Sequence, residues 1–103
     1  MSYNISLKQL TYATVADIGS YTYNIQPMFR RATGQSLSNL SGMKASDAQQ
    51  VLQAALDKMQ ADPQAYRALN PANGWGHYNG FVTYLSRAIR ACRLNPDADF
   101  VVG

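Results

Sequence analysis

A chain of 103 residues with 47% hydrophobic and 15% charged side chains has the composition of an ordered globular protein, long enough to bury one core without a metal or a disulfide. Its net charge of +3 favours anionic partners, but the nine Lys and Arg are too scattered for a dedicated duplex nucleic-acid binder. The lone Cys92 excludes an intrachain disulfide, and no apolar run approaches the ~20 residues that span a bilayer.

All six carboxylates are Asp, while Gln and Asn supply much of the remaining polarity, so the expected surface is hydrogen-bonding more than ionic. Met1-Ser2-Tyr3-Asn4 has neither the basic region nor the apolar stretch of a signal peptide, and the expectation is a cytoplasmic protein with no membrane association.

Tyr3, Ile5 and Leu7 alternate with Asn4, Ser6 and Lys8, the period of two that predicts a half-buried strand. A second alternation of Tyr21, Tyr23 and Ile25 against Thr22 and Asn24 predicts another strand. Thr11 to Ala16 reads as a further strand or an extended connection, and Asp17-Ile18-Gly19-Ser20 as a turn. Pro27 suits the first position of a helix and Gly34 the position just past its end, with Met28, Phe29 and Ala32 on one face and Arg30 and Arg31 near the negative end of the dipole. The Ser-rich stretch from Gln35 to Gly42 reads as a loop anchored by Leu37 and Leu40.

Ser46-Asp47-Ala48-Gln49 matches a capping box, with Ser46 at the cap of a helix whose inner arc carries Val51, Leu52, Ala55, Leu56 and Met59. Asp62-Pro63 closes that helix and starts a short one bearing Tyr66 and Leu69. The stretch from Asn70 to Gly80 gathers the only Trp, the only His and three of the seven Gly, and its Asn-Pro and Asn-Gly steps mark an ordered loop that opens a helix. Phe81, Val82, Leu85, Ala88, Ile89 and Cys92 then form the strongest helical stripe, Asn95-Pro96 ends it, and Ala98 to Val102 returns as a strand. The expected fold is α+β in a single compact domain spanning 1–103, a small antiparallel or mixed sheet from both chain ends packed on two main helices.

Catalytic chemistry finds little to stand on. Cys92 lies on the apolar stripe, where a thiol is a buried, unreactive side chain, so it makes a poor nucleophile for His77. A single His, a single Cys and the Asp97-x-Asp99 pair provide no zinc or calcium spacing, and neither a phosphate-binding loop nor a nucleophile elbow is present, so no cofactor is expected. What the sequence does offer is arginine and aromatic side chains. Arg87 and Arg90 on the polar side of the last helix, or Arg30 and Arg31 in second place, could clamp an anion beside Tyr21, Tyr23, Trp75, His77 and Tyr78, because a guanidinium fork matches phosphate and an aromatic face holds a planar group.

Tyr21-Thr22-Tyr23-Asn24, Pro27-Met28, Asp62-Pro63 with Tyr66, Asn70-Pro71-Ala72-Asn73-Gly74-Trp75-Gly76 with Tyr78, Leu85, Ala91-Cys92 and Asn95-Pro96 together resemble a family of small bacterial and phage proteins without an assigned activity. The resemblance covers most of the chain and implies a recurring single domain in a phage or bacterial setting, with no catalytic residue to carry over. The expected function is a non-enzymatic binding module that sequesters an anionic planar ligand such as a nucleotide or nucleotide-derived signal, across a homo-oligomer interface in one arrangement. The alternative is a protein-interaction module that docks on a host or phage protein through Tyr and Trp anchors.

Overall fold

Strand β1 (Ser2–Lys8) is the sheet's centre, and its alternation sets which face meets the core: Tyr3, Ile5 and Leu7 are all buried while Ser2 and Asn4 are exposed. The computed structural model describes residues 2–9, 14–71, 74 and 76–103, apart from the Tyr23 side chain. β1 pairs antiparallel with β2 (Thr14–Thr22) on one side and with β3 (Asp99–Val102) on the other, so both chain ends build one sheet in the order β2-β1-β3. The fold is α+β, as the sequence predicts.

β2 departs from expectation in its middle and at its C-terminal end. The Asp17-to-Ser20 turn signal lies inside the strand, and Tyr23 to Ile25 leave it as a 3-10 turn. The turn chemistry is present within the strand: the Asp17 carboxylate accepts from the Gly19 N–H at 2.9 Å, and Gly19 takes φ +85°. That geometry forms a bulge instead of a reversal. Ile5 faces Gly19 while Ser6 faces Asp17, leaving Ile18 as the extra residue, and a second shift leaves Val15 unmatched between Ala16 and Thr14.

Helix α1 (Gln26–Thr33) has Pro27 in its first turn and ends on Gly34, whose φ of +76° lets its N–H reach the Arg30 carbonyl at 2.7 Å. Met28, Phe29 and Ala32 face inward, and a 3-10 turn then buries the anchors Leu37 and Leu40. Helix α2 (Ala45–Ala61) begins earlier than the capping box predicts, with Lys44 at the cap position and no side-chain cap. Tertiary carbonyls do the work expected of Ser46: Ala98 accepts from the Ala45 N–H at 2.7 Å and Pro96 from the Ser46 N–H at 3.0 Å. The same approach covers the outer edge of β3, where Gly42 N–H donates to the Phe100 carbonyl and Phe100 N–H donates to Met43.

After the short helix α3 (Pro63–Arg67), helix α4 (Tyr78–Leu94) packs against α2 and the sheet. Its buried stripe contains the predicted Phe81, Leu85, Ala88, Ile89 and Cys92, and adds Tyr78 and Tyr84. Val82 is only half-buried at the edge of that stripe. Among the described residues no helix is long and apolar enough to cross a membrane.

Candidate functional site

Two features of α4 organise the surface around it. Its first turn is capped by His77, whose Nδ1 accepts from the Gly80 N–H at 2.9 Å, so the imidazole is spent on a helix terminus. Tyr21 reaches the same corner: its hydroxyl accepts from the His77 N–H at 3.2 Å and lies 3.3 Å from the His77 carbonyl, to which it donates, while its ring stacks on Phe81 and Tyr84. Tyr78 points the other way, into the core, and donates its hydroxyl to the Met59 carbonyl at 3.0 Å.

Tyr84 ties helix to sheet. Its hydroxyl donates to the Gly19 carbonyl at 2.7 Å and accepts from the Ile5 N–H at 3.3 Å, filling the opening that the Ile18 bulge makes in the β1–β2 ladder. Burial pushes this phenol up to about 12, against the smaller lowering effects of the Ile5 N–H and of Arg87, while Asp17 adds slightly to the rise. Counting apolar residues alone misses Tyr84. Its position three residues after Phe81 is the signal that could have found it, since a Tyr on a core stripe needs a polar partner at its tip.

The sequence-predicted site residues therefore divide among separate places. Tyr21, His77 and Tyr78 gather at the N-terminus of α4 and are engaged in internal hydrogen bonds. Arg30 and Arg31 lie in the last turn of α1, and the Arg31 guanidinium sits 5.7 Å from the Tyr66 ring centroid. Arg67, which the sequence reading did not single out, sits 5.1 Å from the centroid of Tyr78. Trp75 and the side chain of Tyr23 lie outside the described residues.

Arg87 and Arg90 belong to a different surface, ten residues or more past His77 and hence about 15 Å or more along the helix. They recur with Ala91 and Leu94 at i, i+3, i+4 and i+7, a single stripe of α4 beside its buried one. Val15 and Ala16 of β2 face this stripe, and Asn95 closes the far end, enclosing an open groove of about 340 Å³. Val15 is 39% exposed and Leu94 70% exposed, the exposed large hydrophobic side chains among the described residues. Neither arginine makes an ion pair with a carboxylate among the described residues. A second open groove of about 370 Å³ runs between α1 and α2, but it offers an anion only Lys58 among amide and aliphatic groups such as Gln35, Gln50 and Val51.

The described residues hold no cluster of three His, Cys, Asp or Glu side chains placed to bind a metal. Cys92 is buried in the core, and burial alone pushes its thiol up to about 11, well away from a reactive thiolate at neutral pH. No family model, no curated protein and no solved structure matches this chain.

Proposed function

We propose that the protein is a non-catalytic binding module that holds an anionic ligand in the groove between β2 and α4, with Arg87 and Arg90 supplying the charge. One observation carries this reading: two guanidinium groups without carboxylate partners among the described residues flank a groove lined by the exposed Val15 and Leu94. An exposed helix face of Arg alone is an ordinary solvated surface. Arg beside an apolar groove is a place where a ligand gains from both charge and burial, and a guanidinium fork is suited to carboxylate or phosphate.

The aliphatic lining bears on which anion. Among the described residues no ring lines the groove for a planar base to stack on, since Tyr21 and Tyr78 are committed elsewhere, and this favours the protein-interaction form of the reading over the nucleotide form. Native mass spectrometry of protein taken from cells tests the module itself. A bound species that survives in the wild type and is lost from the Arg87→Ala, Arg90→Ala double variant is expected, with stability changed by less than about 0.5 kcal/mol per substitution. A ligand kept in full by the double variant, or a wild type recovered bare, overturns it.

A further inference from the structure

We infer that the occupant of this groove is a short acidic segment of a partner polypeptide, bound extended, with a carboxylate on Arg87 and Arg90 and an aliphatic side chain between Val15 and Leu94. The inference rests on the binding reading above and names its partner.

The dimensions favour a short segment. Arg87 and Leu94 are seven helical rises apart, about 10.5 Å, which is the reach of about three residues of extended chain. Side chains two apart in such a segment point to one side about 7 Å from each other, so a carboxylate at one position and an aliphatic group at the next but one match the progression from the Arg pair to Leu94. A volume of about 340 Å³ lies at the small end of the range for ligand sites and suits a few side chains rather than a bulky cofactor.

Charge decides the sign of the partner. The chain carries +3, and among the described residues the carboxylates leave both groove arginines unpaired, so an acidic segment meets complementary charge while a basic one meets repulsion. The mode of binding follows from the bulges. β2 is an outer strand of the sheet, but its irregular residues at Val15 and Ile18 break the even ladder that an added strand would need, as edge-strand bulges generally do. What the irregularity at Val15 presents instead is the Val15 side chain. Recognition is therefore through side chains laid between strand and helix, not through a fourth strand.

The test uses the ¹⁵N-labelled full chain and a capped pentapeptide alternating aspartate with leucine, followed by amide and arginine Nε–H chemical shifts. Control probes are the same peptide with glycine replacing leucine, the same peptide with lysine replacing aspartate, a decathymidylate and ATP. The expected result is shifts confined to Val15, Ala16, Ala91 and Leu94 and to the Arg87 and Arg90 side chains. Arg87→Ala, Arg90→Ala and Leu94→Asp should each weaken the affinity about tenfold or more, with both control peptides weaker by a similar factor. If the glycine peptide, decathymidylate or ATP binds at Arg87 and Arg90 as well as the leucine peptide does, the anion module stands and the aliphatic-acidic partner is overturned. If the leucine peptide shifts nothing in the groove, the partner is likewise overturned. If no probe responds to loss of both arginines, the partner and the module fall together.

Discussion

Tyr84 and Gly80 show how a single atom can decide the sign of a substitution. Removing the Tyr84 hydroxyl leaves the Gly19 carbonyl and the Ile5 N–H without their partner in a closed part of the sheet, so Tyr84→Phe is expected to cost about 1–3 kcal/mol, read as a lower urea midpoint at unchanged slope. A phenol that merely points at solvent would leave the midpoint where it was. Gly80 carries the opposite lesson. Within a helix, Gly→Ala ordinarily gains about 1 kcal/mol from propensity, but here the new methyl would run into the Tyr21 hydroxyl that bonds the His77 backbone. Tyr21 is held by stacking on Phe81 and Tyr84 and has little room to retreat. Gly80→Ala should therefore destabilise by about 1–3 kcal/mol, and a gain in thermal midpoint would refute the close approach.

At the scale of elements, the sequence exposes most boundaries and misplaces those where tertiary contacts take over a local task. The Pro27 start and Gly34 stop of α1, the Asp62-Pro63 break and the return of β3 all follow from backbone chemistry confined to a few residues. The turn signal in β2 misleads because Asp17 and Gly19 do make a local hydrogen-bonded kink, and only pairing with β1 turns that kink into a bulge. The capping-box signal at Ser46 misleads because the carbonyls that accept from the first turn of α2 come from Pro96 and Ala98, about fifty residues away in sequence. The two helix starts can be told apart by experiment. The Ser46 hydroxyl makes no hydrogen bond among the described residues, so Ser46→Ala should change stability by less than about 0.5 kcal/mol. His77→Ala should cost about 1 kcal/mol, because it strips the side chain that accepts from Gly80. Equal effects from the two substitutions would contradict this assignment of caps.

Over the whole molecule, the candidate groove was half legible. Arg87 and Arg90 stand out on the polar side of a clear helical stripe, but nothing local reveals that Val15 faces them across more than seventy residues of sequence, since that contact depends on the β2 register. The same long-range packing buries two acids that the chain must keep protonated. Cys92 rises from 9.0 to about 11 and Tyr84 from 10.0 to about 12, in both cases chiefly through burial. Below about pH 8 both groups carry their protons whether the chain is folded or not, and stability does not depend on them. Above that, the unfolded chain releases a proton that the native chain retains, first from the thiol and then from the phenol, so stability falls with rising pH across the window from 9 to about 12. Each group contributes a slope of up to about 1.4 kcal/mol per pH unit within its own interval, and the two overlap between pH 10 and 11. Urea midpoints measured from pH 8 to 12 should therefore hold steady and then decline, and Cys92→Ala should delay the onset by about one unit while leaving the later decline to Tyr84. Phenolate absorbance should show Tyr84 ionising only as the fold is lost, as a component that Tyr84→Phe removes. A native protein whose tyrosines all ionise near 10 without loss of structure would place Tyr84 at the surface and break the link between α4 and the sheet on which the groove depends.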